Sequence, residues 1–198
     1  TQDAQVWLST KATTRFSLPL LRCMDLEATQ AAMSHLPIGK RRFVSKFAAN
    51  YAPTGRNMKR WRFWPFDCCP RCSMPNETVE HVWSCQAPSA IAARSSALST
   101  FEDTLSKIGT EPDVGREIIR AVTHQTSYGA YIPDPTPPRE TDLLQAVHEQ
   151  TAIGWNQLLR GRISRQWRIS QGHYTTRRTR HQTPLRWTAR FLLALWEL

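Results

Sequence analysis

The order Cys69-x2-Cys72-x8-His81-x3-Cys85 brings three thiols and one imidazole together in one short stretch of a 198-residue chain. The two-residue gap lets both thiolates of a tight turn point at one ion. The three-residue gap between His81 and Cys85 is the i, i+4 spacing, which sets both on one helix face. Four soft or borderline donors in a tetrahedral array suit Zn²⁺. A full ligand set leaves no open position, so the predicted zinc is structural and not catalytic. Cys68 stands beside Cys69 and offers an alternative first ligand. Glu77 and Glu80 flank the cluster and are read as the polar first turn of a helix, not as partners of His81.

Charge is the second feature with chemical consequences. The chain carries a formal net charge of +10. Residues 1–35 are balanced. Residues 36–72 hold nine basic and one acidic side chain, net +8; residues 73–149 hold five and eleven, net −6; residues 150–198 hold nine and one, net +8. Two basic blocks flanking an acidic middle point to an anionic partner, RNA or DNA. Candidate phosphate contacts in the first block are Lys40, Arg41, Arg42, Lys46, Arg56, Lys59, Arg60 and Arg62, with Trp61 as a stacking partner. The second block contributes Arg160, Arg162, Arg165 and Arg168 as a ridge. In residues 53–67, Trp61, Phe63, Trp64 and Phe66 alternate with Lys59, Arg60 and Arg62. Such rings either stack on single-stranded bases or pack beneath the zinc knuckle.

At these residues the chain resembles a known family. The stretch CPRCSMPNETVEHVWSCQAP, residues 69–88, looks like the zinc-binding region that follows the polymerase domain in reverse transcriptases of non-LTR retrotransposons. Glu77, Thr78, His81 and Cys85 fit that family's order. The segments GKRRFVSKF, GRNMKRW and IGWNQLLRGRISRQW, residues 39–47, 55–61 and 153–167, are similar to reverse-transcriptase-like proteins of unicellular algae and diatoms. The resemblance implies a C-terminal, non-catalytic fragment of a retroelement polyprotein that contacts RNA or target DNA. The parent would be an RNA-directed DNA polymerase. Other parts of that polyprotein are then expected partners.

Several chemistries lack their residues. There is no Tyr-x-Asp-Asp pair of polymerase aspartates, no Gly-x-Ser-x-Gly turn and no Gly-rich phosphate loop. No small-molecule substrate is expected. Four of five cysteines lie between positions 68 and 85. That clustering favours a metal site in a reducing compartment over a disulfide framework, hence an intracellular protein of nucleus or cytoplasm. No apolar run approaches the about 20 residues of a membrane span. The first residues, TQDAQVWLST, show no leader pattern and no Met, and the last ones stop within an apolar helical pattern. Both ends read as cut from a longer chain.

The elements that must position these groups are mostly α-helical, with a small zinc knuckle built as a short β-hairpin plus helix. The expected organisation is a helical basic segment over 1–67, the knuckle with following helices over 68–128, a proline-rich linker over 129–139 and a basic helical region over 140–198. Helices are expected from Asp25 as N-cap to about Ser34, over 39–51, 78–85, 88–108, from Asp113 as cap to about 126, and over 184–197. Phe43, Phe47 and Tyr51 would form one core-facing stripe. A single long helix would begin at Thr141 and run through Arg168, with a kink at Gly161. Residues 53–67 and 171–182 read as loops. The competing function is a zinc-stabilised protein-interaction or structural module without nucleic-acid binding. Arginines pointing to solvent would favour nucleic acid; arginines paired with Glu102, Asp103, Glu117 and Glu149 would favour the alternative.

Overall fold

Apolar residues recurring three and four apart produce helices almost throughout. The computed structural model describes residues 16–129, 131, 141–178 and 183–198, without the side chains of 176–178. In order, the helices are α1 Leu18–Cys23, α2 Leu26–His35, α3 Ile38–Ala48, α4 Gly55–Arg60, α5 Val79–Ser84 and α6 Pro88–Lys107. They continue as α7 Pro112–Tyr128, α8 Thr141–Ile153, α9 Trp155–Leu158, α10 Arg165–Arg178 and α11 Pro184–Leu195. The mostly α fold is as expected. Most of the linker expected over 129–139 lies outside the described residues.

Local chemistry sets the helix starts. Asp25 caps α2 by accepting the Ala28 N–H at 3.1 Å, and Thr183 caps α11 through the Arg186 N–H at 3.3 Å. Proline in the first turn opens α6, α7 and α11, where a missing N–H costs nothing. The cap of α7 is Glu111, which accepts from Val114 N at 2.7 Å, not Asp113.

One core draws on both ends of the chain. α2 packs on α11, and α10 lies against both α8 and α11. Ala28 and Ala32 of α2 meet Ile118 and Val122 of α7, Leu158, Trp167, and Trp187, Phe191 and Leu192 of α11 in one cluster. Trp167 and Trp187 are fully buried, each worth roughly 3 kcal/mol before conformational entropy. Their indole N–H groups are satisfied by Gln150 Oε1 at 3.3 Å and Thr110 Oγ1 at 3.1 Å.

The long helix expected from Thr141 is broken. Gly154, at φ 103°, ends α8, and Gly161, at φ 81°, turns the chain again before α10. The intervening segment is buried along nearly its whole length. A buried irregular segment must find partners for its peptide groups. Gln150 supplies several: its Nε2 donates to Arg162 O at 3.2 Å and Gly154 O at 3.3 Å, and its Oε1 accepts Ser164 N–H at 3.0 Å. Asp25 N–H donates to Ile163 O at 2.8 Å, and Thr29 Oγ1 donates to Gly161 O at 3.1 Å. Helix α10 extends through residues expected to be loop, to Arg178. Its Gln171 accepts Glu111 N–H and donates to Gly109 O, both at 2.9 Å. The remainder of that expected loop, 179–182, lies outside the described residues.

Three further expectations change. Residues 53–67 are not all loop, since Thr54 caps the short helix α4. The stripe on α3 is not core: Phe43 and Tyr51 are about half exposed, and Phe47 rests edge-on against Trp83 at 5.9 Å. The β-hairpin of the knuckle is absent. Among the described residues there is no strand, only an isolated bridge between Met24 and Ser164.

Candidate metal centre

The knuckle curls because its turns are too tight for strands. Ser73 N–H returns to Cys69 O at 2.9 Å, and Cys69 N–H donates to Met74 O at 2.8 Å. Ser73 and Asn76 adopt left-handed backbone, φ 61° and 58°. The chain then enters α5, where Thr78 Oγ1 accepts the N–H of His81 at 3.2 Å. Cys85 is the C-cap residue of this helix. Arg94 of α6 donates to Trp83 O at 2.6 Å and Cys85 O at 3.2 Å, holding the helix end in place.

This geometry gathers Cys69, Cys72, His81 and Cys85, whose ligand atoms all lie within 4.8 Å of one another. Cys69 Sγ and Cys85 Sγ are 3.9 Å apart, and Cys72 Sγ is 3.2 Å from His81 Nε2. A tetrahedron with Zn–S bonds of about 2.3 Å has edges near 3.7 Å, so the spacing fits a four-coordinate ion. It is far too long for a disulfide, and all five cysteines are free. The four groups could therefore hold a metal ion, compatible with zinc. Cys68 stands outside the cluster, so Cys69 is the first ligand of the set. Burial pushes the Cys69 thiol up to about 11. The Met74 N–H lowers the Cys72 thiol. A dication among them reverses the cost of the buried thiolate.

Neither neighbouring carboxylate contacts His81 among the described residues. Glu77 is buried and accepts the Gly55 N–H at 2.6 Å, while its own N–H donates to Asp67 O at 2.7 Å. It thus fastens the start of α4 to the knuckle. A Cβ on Gly55 would lie 2.7 Å from both Asp67 O and Cys68 O, so only glycine permits this approach. Glu80 pairs with Arg160. Arg94, Glu77 and Gly55 carry no local sequence signature of these roles; they emerge only from the packing.

The predicted phosphate-contacting residues divide into two groups. The ridge on the second basic block does not form. Arg160 is buried and donates to Glu80 and, at 2.9 Å, to Asn50 Oδ1. Arg162 is buried and donates to Gln157 Oε1 and, at 3.2 Å, to Ala48 O. Burial and the neighbouring Arg160 push the Arg162 guanidinium down to about 10. Arg168 is held by Asp25 at 3.1 Å and Glu27 at 2.8 Å. Only Arg165 of the four is exposed. In the first block, Lys40 pairs with Glu197, and Lys59 with Asp67 at 2.9 Å. Arg41 donates to Ser34 O and Leu36 O at the end of α2. Glu80 belongs to the acidic middle, but none of these partners is Glu102, Asp103, Glu117 or Glu149.

The other cations stay in solvent. Arg42, Lys46, Arg56, Arg60, Arg62 and Arg71 are exposed, and among the described residues no carboxylate pairs with any of them. Trp61 stacks on Tyr51 at 6.3 Å, with the Arg60 guanidinium 5.3 Å from the tyrosine ring. Phe63, Trp64 and Phe66 are 75%, 56% and 59% exposed. A separate cleft of about 500 Å³ is lined by Phe43, Phe47, Arg71, Val82 and Trp83 and by the buried thiols. No helix among the described residues is long and apolar enough to cross a membrane. Compared with known proteins, the chain matches no family model, no curated protein and no solved structure.

Proposed function

We propose that this chain is a zinc-clamped nucleic-acid-binding module whose basic face, on α3, α4 and the knuckle, meets the phosphate backbone of RNA or DNA. The observation that carries it is the set of six exposed cations without acidic partners, gathered in residues 42–71. Bound zinc would neutralise the thiolates and cross-link the knuckle to α5. It would do no chemistry on a substrate. The resemblance of residues 69–88 to the zinc region of non-LTR reverse transcriptases supports the same assignment, with this chain as a non-catalytic part of a longer polyprotein.

Two measurements test the proposal. Metal analysis of the purified chain should give one zinc per chain, lost in Cys69→Ser and in Cys85→Ser. Filter binding at two salt concentrations should give a log–log slope of about −0.7 to −0.9 per phosphate contacted. A zinc-loaded chain with no affinity for RNA or DNA would overturn the nucleic-acid half. That result would favour the second function, a protein-contact module, which the apolar cleft beside Val82 and Phe43 supports.

A further inference from the structure

We infer that the polymer on this face is single-stranded, with its bases stacked on the rings of the loop that follows α4. The inference rests on the nucleic-acid function proposed above and specifies its substrate.

Phe63, Trp64 and Phe66 are large rings left mostly in water. An isolated exposed ring needs no explanation, but three within four positions form a patch. The chain holds them there actively. Arg62 adopts left-handed backbone at φ 62°, which is costly for a residue with a Cβ. That turn lets Phe63 N–H and Trp64 N–H both return to Met58 O, at 3.0 and 3.4 Å. At its far end the loop is tied to the knuckle through Glu77 N–H to Asp67 O at 2.7 Å, and back to α4 through Lys59 to Asp67. The rings are therefore displayed from a backbone fixed at both ends, one of which the metal organises.

The charge around them selects the partner. Arg60 and Arg62 alternate with the rings along the chain, and neither has a carboxylate partner among the described residues. A protein surface matching this pattern would need both apolar and acidic groups in register. A single strand offers a π-face and a phosphate at every nucleotide. A duplex hides its bases in its own stack and can present only phosphates. The stacking partner is therefore a strand with accessible bases.

The test uses the zinc-loaded full chain and fluorescence anisotropy. The probes are a 15-nucleotide oligo-dT, the matching oligo-U, a duplex of equal length and an oligo-dT with abasic sites at its centre. The expected result is single-strand affinity at least about tenfold above duplex, with a similar loss on the abasic strand. Trp64→Ala/Phe66→Ala should lose about 30-fold on the single strand and leave duplex affinity unchanged. Trp64→Phe should restore most of the loss. Zinc content and the circular dichroism spectrum of each variant confirm that the fold is kept. Equal binding to strand, abasic strand and duplex, untouched by the double variant, overturns the stacking inference while leaving the basic-face function intact. No binding to any probe overturns both. A double variant that keeps single-strand affinity but abolishes self-association in sedimentation would assign the rings to a protein interface and overturn the inference as well.

Discussion

The guanidinium of Arg160 pairs with the carboxylate of Glu80, one residue before His81 of the Cys69, Cys72, His81, Cys85 cluster. Arg160 is buried, Glu80 is half exposed, and Asn50 at the end of α3 shares the same guanidinium. A residue expected to meet phosphate instead bolts α5, the helix that carries His81, to the core. Removing Glu80 leaves a buried cation with only an amide oxygen for company. Glu80→Ala should therefore cost about 1–3 kcal/mol in urea denaturation. It should also weaken zinc retention against a chelator, because α5 loses its anchor. A double-mutant cycle with Arg160→Met should show coupling above about 0.5 kcal/mol. Additive effects would mean that the pair does not hold the helix.

Gly161 sits at φ 81° with no room above it. A Cβ there would lie 2.6 Å from Cζ2 of Trp196. Strain and overlap both oppose a side chain, so Gly161→Ala should cost at least about 2 kcal/mol. For a chain of this size that lowers Tm by about 4–8 °C. An unchanged Tm would show that Trp196 moves aside freely and that the turn tolerates a side chain.

Asp25 gives the structure a pH signature. Burial pushes its carboxyl above the ordinary 3.8, outweighing the lowering by the Ala28 N–H and by Arg168. The folded chain thus holds this proton more tightly than the unfolded one. Its contribution to stability is fullest below pH 3.8 and falls as pH rises through the raised folded value. Asn caps a helix as well as Asp and does not titrate. The stability difference between Asp25→Asn and the parent should therefore move in the variant's favour as pH rises over that window. Denaturation midpoints measured across the acid range check the sign; a difference moving the other way would show that the Arg168 pair dominates.

The candidate metal ligands were legible because their chemistry is written in spacing alone. Cys69, Cys72, His81 and Cys85 needed no tertiary information, and the structure brings all four together. The cap at Asp25 and the starts of α6 and α11 at Pro88 and Pro184 were local for the same reason. Burial was not legible. Arg160, Arg162 and Arg168 continue a helical spacing that suggests a ridge, but Gly154 and Gly161 break that helix and fold two of the arginines inward. The carboxylates that neutralise Arg160 and Arg168, Glu80 for the first and Asp25 and Glu27 for the second, are distant in sequence. Phe43, Phe47 and Tyr51 show the converse. Their four-residue period implies a core face, yet Phe43 and Phe47 line the cleft beside the knuckle, and Tyr51 lies past the end of α3, stacked on Trp61.

The side chain of Gln150 serves the 154–164 segment as a neighbouring strand would. Its amide donates to two carbonyls of the 154–164 segment and accepts one of its N–H groups, the kinds of group that facing peptide units offer. A side chain has a fixed reach, whereas a strand can slide in register. Adding or deleting a residue between Gly154 and Ser164 would move a buried carbonyl or N–H beyond that reach. Length is thus more tightly constrained than composition here, although the segment is a connection between helices. Deamidation of Gln150 would have the same effect in an ageing molecule, setting an acceptor against the two carbonyls that the amide now satisfies.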